Sequence, residues 1–151
     1  MSLDIDAIFD AVVSHALASG YFDRVGAHEP KNAPGLGLSA AVWVDLIKMV
    51  QSSGLASSSA LLVFNVRLYS SMLQEPQDAI DPNLVKANSA LFLAYAGDFT
   101  LGGLVREVDL LGAQGAPLQS KAGYLTQDSK QYRVFTITLP VVVNDVWDQV
   151  A

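Results

Sequence analysis

The sequence predicts an α+β fold: a single domain with a mixed, mostly antiparallel β-sheet and two main helices packed on one face. Three observations carry this. Residues 132–144 form the longest β-branched run in the chain and alternate with period two. Two segments, 4–19 and 81–97, space their apolar residues with the 3.6 period of a helix. The remaining apolar segments are strand-length and joined by short Gly-, Pro- or Ser-rich loops, which suits neighbouring antiparallel strands better than regular strand–helix alternation.

The first helix follows from Ile5, Ile8, Phe9, Val12, Val13, Ala16 and Leu17, which fall on one stripe. Asp4 and Asp6 suit its positive N-terminal end, and Gly20 suits its stop. His15 lies beside the stripe as an ordinary helix residue. Residues 21–27 are expected to form a short strand. Residues 28–37 hold two prolines and two glycines and are expected to be a loop.

Residues 39–50 read as a strand with Ala40, Val42 and Val44 opposed to Ala41, Trp43 and Asp45; a helix is the rival, because Leu46, Ile47 and Val50 also fit a 3.6 period. Residues 51–59 are expected to be a mobile hairpin loop. In residues 60–69, Leu62, Phe64, Val66 and Leu68 form a dry face and Asn65, Arg67 and Tyr69 a wet one.

The second helix is expected to open with Asp81 as N-cap and Pro82 at its first position. Leu84, Val85, Asn88, Leu91, Phe92 and Tyr95 share its inner face, and Gly97 closes it. Residues 104–111 alternate as a further strand, followed by a loop over 112–117. Residues 122–126 are expected to pair with the long strand through a turn at 127–130. In that long strand Arg133, Phe135, Ile137, Leu139 and Val141 share one face, and Tyr132, Val134, Thr136 and Thr138 the other. Pro140 lacks a ladder N–H, so a bend or a sheet edge is expected there. Residues 144–149 read as a polar tail.

The totals limit the function classes. At 151 residues the chain is one domain's worth, and 51% apolar against 16% charged residues supports a real core. There is no cysteine, which removes a disulfide framework, a thiolate metal site and a thiol nucleophile. A net charge of −6 opposes sequence-independent grip on nucleic acid, which needs clustered cations against phosphates. No apolar run reaches the roughly 18–20 residues of a membrane span, and Asp4 and Asp6 stand where a signal peptide carries positive charge. A soluble protein made inside the cell, with no membrane partner, is the expectation.

No catalytic, cofactor-binding or metal-binding constellation emerges. Gly102-Gly103 follows a helix and precedes a strand, the reverse of a phosphate-cradling loop. His28 and Glu29 are adjacent, so in a strand they point to opposite faces and cannot readily share a proton or a metal. His15 and His28 have no zinc-ligand spacing. Asp98, Glu107 and Asp109 could cluster, but a solvated sheet face opposite Arg106 is the simpler reading. Trp43, Trp147 and the tyrosines read as core or interface.

The order of elements and several local strings resemble the tail-terminator (tail-completion) proteins of long-tailed bacteriophages, in the lambda-like version found in phages and prophages of actinobacteria. The strings are His28-Glu29-Pro30-Lys31-Asn32-Ala33-Pro34-Gly35, then Ala40-Ala41-Val42-Trp43-Val44, then Leu62-Val63-Phe64-Asn65-Val66-Arg67-Leu68-Tyr69. Asp81-Pro82 follows, and Gly123-Tyr124-Leu125-Thr126 leads to Tyr132-Arg133-Val134. The resemblance spans nearly the whole chain, and its specificity lies in the joint order of strings that carry no catalytic signature. It implies a structural virion protein of the tail, assembled in the bacterial cytoplasm, without enzymatic activity or cofactor. It implies a homo-oligomeric, usually six-membered ring on the last ring of the tail tube. Such a ring stops polymerisation, meets the head–tail connector and lets DNA pass without specific binding. Interface candidates for the ring are Lys31, Pro34, Lys48, Arg67, Arg106 and Trp147, with Lys31 in the first loop and Lys48 before the second, since such loops project from the sheet. The competing readings are a neighbouring neck or connector protein and, from a different class, a small α+β ligand-binding protein or enzyme with a cleft near His28 and Glu29.

Overall fold

Asp4 begins the first helix by accepting the Ala7 N–H at 3.2 Å, which satisfies one of the orphan donors of the first turn. In the computed structural model, which describes residues 3–30, 37–51, 56–73, 76–148 and 150, helix α1 spans Ile5–Ala18. The chain leaves it through Gly20 at φ +76°, a conformation that favours glycine. Ile8, Val12 and Ala16 form its buried stripe.

Six strands follow in one sheet: β1 (Arg24–Gly26), β2 (Leu38–Gln51), β3 (Ser57–Ser71), β4 (Glu107–Val108), β5 (Gln119–Gln127) and β6 (Lys130–Asp148). The order is β1-β2-β3-β6-β4, with β5 also on β6; β1–β2 is parallel and every other pair antiparallel. The sheet is mixed and mostly antiparallel, and 39–50 is strand rather than helix. Tertiary pairing of β2 against thirteen registered partners, Leu38 to Gln51 across a bulge between Val44 and Leu46, overrides the helical period of Leu46, Ile47 and Val50.

A short 3-10 turn (Gln77–Ala79) leads into α2 (Ile80–Gly97). Both helices lie on one face. Ile8, Val12, Leu84, Leu91 and Tyr95 share a buried cluster with Val42, Phe64, Leu68, Ile137 and Leu139 of the sheet. Phe9 meets Phe64 edge-to-face at 5.3 Å, and the Tyr95 hydroxyl donates to the Val12 carbonyl at 3.2 Å, tying α2 to α1. Burial pushes the Tyr95 hydroxyl pKa well above its ordinary value.

Several expectations need correction. Asp81 is not the N-cap: α2 begins two residues earlier than expected, at Ile80, Ala79 occupies the cap without a side-chain bond, and the Asp81 carboxylate goes to Arg133 instead. Val85 is exposed, and Ile80 and Ala87 take buried places on that helix. The strand over 104–111 shrinks to Glu107–Val108, because turns at Leu101, Gly102 and Gly103 use positive φ and the chain turns again after Asp109. Leu104 and Leu111 are exposed as a result, whereas Val105 and Val108 are buried.

β6 continues through Pro140, which stands opposite Val63 of β3, and only its other side is edge-like. The Pro140 carbonyl accepts the Asp109 N–H at 2.9 Å, so its missing donor would also point away from β3. That side is where β5, whose pairing stops at Thr138, hands over to β4, which pairs at Val141 and Val142, so the proline sits at an interruption of the ladder where a missing donor is tolerated. The expected polar tail is likewise strand: β6 continues to Asp148 through a bulge opposite Ser58 and Ala60, with Asp145 at φ +53° and Val146 buried. Ser57 Oγ donates to Asp145 Oδ1 at 2.9 Å and fixes that bulge.

The face of β3 expected to be wet is largely covered. Tyr69 is buried with Tyr132, Ala41 and Val134, and Leu61 and Val63 are buried with Val142. Gln127 Nε2 donates to the Pro30 carbonyl at 3.1 Å, so the 28–30 segment lies over the tyrosine end. At the other end Gly115 of the β4–β5 loop approaches the Lys48 ammonium.

Candidate interaction surfaces

β3 pairs antiparallel with β2 on one side and with β6 on the other. From Val44 to Met49 every residue of β2 is exposed. Val44 is 38% exposed, Leu46 46%, Ile47 50% and Met49 65%. The bulge at Asp45 shifts the pleat: Val44, Ile47 and Met49 stand opposite Phe64, Leu62 and Ala60 on the helix side, while Leu46 stands opposite Val63 on the other. β1 reaches only Ser39, Ala40 and Ala41, so among the described residues no strand covers the outer edge of β2 beyond them. An apolar, uncovered strand edge is a pairing surface.

The middle of the helix-free face is a second surface. Lys121, Thr136, Arg67 and Ala41 stand in register across β5, β6, β3 and β2. Arg67 Nε donates to Thr136 Oγ1 at 2.8 Å, and the guanidinium lies 5.2 Å from the Trp43 ring centroid. Arg67, Lys121, Leu125, Val134 and Thr136 line an open groove of about 360 Å³. Among the described residues no carboxylate forms an ion pair with Arg67 or Lys121.

A third cleft, about 350 Å³, opens at the start of α2 between Met72, Asp78, Asp81, Tyr124 and Arg133. Arg133 Nε donates to Asp81 Oδ1 at 2.9 Å and its guanidinium sits 4.5 Å from the Tyr124 ring centroid. The Asp81 carboxylate raises the Arg133 pKa further. A cation already held by a carboxylate and an aromatic face is a structural clasp from β6 to α2.

The residues singled out from sequence fall in different places. Lys31 and Pro34 lie outside the described residues. Lys48 lies in the exposed stretch of β2 and Arg67 sits in the helix-free groove, so these two share a sheet face. Arg106 donates from Nη1 to Asn144 Oδ1 at 3.0 Å and lies 3.8 Å from Glu107, which places it at the β6 bulge. Trp147 is half-buried near the end of β6, opposite Ser58. Lys121 and the apolar Val44–Met49 stretch were not singled out. The signal was present in 42–50, which is apolar at both parities and so does not alternate as a half-buried strand should.

The polar groups weighed for chemistry have other duties. His28 Nδ1 is 3.0 Å from the backbone carbonyl oxygen of Glu29 rather than on its carboxylate, and neither cleft above is lined by His28 or Glu29. His15 Nε2 is 2.9 Å from Asp98 Oδ2 and its ring meets Tyr95 edge-on at 5.6 Å, joining the two helix ends. The Gly102 N–H and then His15 hold the Asp98 carboxyl below its ordinary pKa. Asp109 is not on a solvated face: it is 4% exposed and accepts the Ala113 and Gln114 N–H groups, each at 2.8 Å. Among the described residues no group of three or more His, Asp or Glu is placed to hold a metal ion, and no helix is long and apolar enough to cross a membrane.

No protein-family model matches the chain, and no curated protein matches it. Among solved structures the chain is similar to one in the virion of a native gene transfer agent particle, with 15% identity, coverage of 91% of this chain and 96% of that one, and a TM-score of 0.40. A likeness at that identity and score fixes no role for this chain.

Proposed function

We propose that this is a structural virion protein that closes into a ring on the end of a phage tail tube, ends tube growth and offers its outer side to the head–tail connector. The identity of the role comes from the joint order of strings that resemble tail terminators. The observation that carries the assembly is the exposed stretch of β2, with apolar side chains on both faces and an outer edge that no described strand covers. The bulge, Asp45 and Lys48 oppose indiscriminate edge pairing, while the exposed Val44, Leu46, Ile47 and Met49 side chains remain to be covered by a specific neighbour. A heterologous contact that repeats by rotation closes a ring, and a closed ring leaves no edge exposed. The polar groups examined for catalysis serve helix ends and loops, which suits an assembly role.

The reading is tested by native mass and negative-stain imaging of the purified chain, alone and with tail-tube protein. Ring-shaped particles of several copies, formed alone or on tube ends, support it. A strictly monomeric chain that also ignores tube ends overturns it.

A further inference from the structure

Among the described residues, two unpaired patches of opposite sign lie on opposite sides of the sheet, while Lys86 and Arg133 also stand on the helix side and Glu107 on the other. On the helix layer, Asp6 and Asp10 of α1 are exposed one turn apart, with no ion pair to either among the described residues. Like charges at that spacing repel, so the pair favours a cationic neighbour. On the helix-free face the charges that meet the groove are Arg67 and Lys121, again without a carboxylate partner among the described residues. Glu29 acts on Tyr69 at one end of the groove, outside its lining. The floor is built for contact: Arg67 lies over the Trp43 ring and is anchored on Thr136, so less rotamer freedom remains to be lost when an anion arrives.

We propose that the groove at Arg67 and Lys121 receives the Asp6–Asp10 face of α1 from a neighbouring copy of this chain. The inference deepens the ring reading by naming two surfaces that meet. The acidic and basic patches lie on opposite sides of one sheet, so a contact between them is head-to-tail, the type that propagates around a ring rather than ending at a dimer. A duplex phosphate backbone would offer the same anionic chemistry. The chain's net charge of −6 opposes it, whereas two carboxylates on a neighbour add charge only where the groove is positive.

The test is self-association by sedimentation, with circular dichroism melting to show each variant folded. Lys121 is exposed, so Lys121→Glu leaves the core untouched. It should weaken association about tenfold, more at low salt than at high, because exposed charges are screened. Asp6→Lys with Asp10→Lys should weaken it similarly, and the triple variant carrying all three reversals should recover to within about threefold of wild type. If the lysines unsettle α1, Asp6→Asn with Asp10→Asn reads the same loss. Undiminished association of Lys121→Glu, or no recovery in the triple variant, overturns this contact while leaving a ring by other surfaces intact. Wild-type binding to a duplex oligonucleotide that Lys121→Glu abolishes, with self-association unchanged, assigns the groove to phosphate and overturns it as well. A chain that never associates overturns this contact, and the tube-end experiment then decides the ring reading separately.

Discussion

Asp109 is the only buried charged residue among those described, and its two acceptor bonds to Ala113 and Gln114 hold the loop that crosses toward Lys48. Asp109→Ala strips both N–H groups of their partner and should cost about 2–3 kcal/mol in chemical unfolding, since bonds to a charged acceptor are the stronger kind. Asp98 makes a pH prediction. Its carboxyl is held below the ordinary 3.8 by the Gly102 N–H and by His15, so the stability it adds is present above that value and is lost as pH falls through the still lower folded-state value. Asp98→Asn should therefore melt below wild type near neutral pH, and the gap should close toward about pH 2. A gap that stays constant on acidification would show that the carboxylate does not carry the effect. The sequence placed Asp98 and Asp109 near one another in the chain, but nothing local showed that one faces a helix end and the other a buried loop. That depends on where the Leu101–Gly103 turns send the backbone, and positive φ at Leu101 is not a signal a leucine announces.

At the scale of elements, periodicity did most of the work. The stripe of α1, the dry face of β3 and the hairpin into β6 follow from spacing alone, because each buries one face against the same core. What periodicity missed was the extent of strands that are covered on both sides or on neither. β6 runs past Pro140 to Asp148 because a second partner strand takes over at that point, a long-range fact. The same pattern assigns Phe135 and Phe64 to the core with equal force, yet Phe64 is fully buried and Phe135 is half-buried beside Arg133. Phe64→Ala should cost about 3–5 kcal/mol and Phe135→Ala clearly less, measured by denaturant midpoints. Equal losses would contradict the packing described. The turn between β5 and β6 places Asp128 at φ +52° and Ser129 at φ +62°, the two-residue geometry that favours Asn-Gly. Replacing the pair by Asn-Gly should raise stability by about 0.5–1 kcal/mol, seen as a higher melting temperature.

For the whole molecule, the protein is an α+β sheet with helices on one face, an exposed apolar stretch of β2 at its edge and a cationic groove on the helix-free face. Fold class was legible because composition, turn residues and periodicity agree with one another. The binding surfaces were only partly legible. Arg67 and Lys48 could be named as candidates, but their alignment with Lys121, Trp43 and the exposed Val44–Met49 stretch arises from register between strands distant in sequence. A chain proposed to end tail-tube growth must change the length of the tubes. Tail-tube protein is polymerised with and without the chain, and tube lengths and end densities are read by electron microscopy. Shorter tubes bearing extra density at one end are expected, with the effect saturating at about one ring per tube. Tubes of unchanged length with bare ends, at concentrations well above the number of tube ends, would contradict that role.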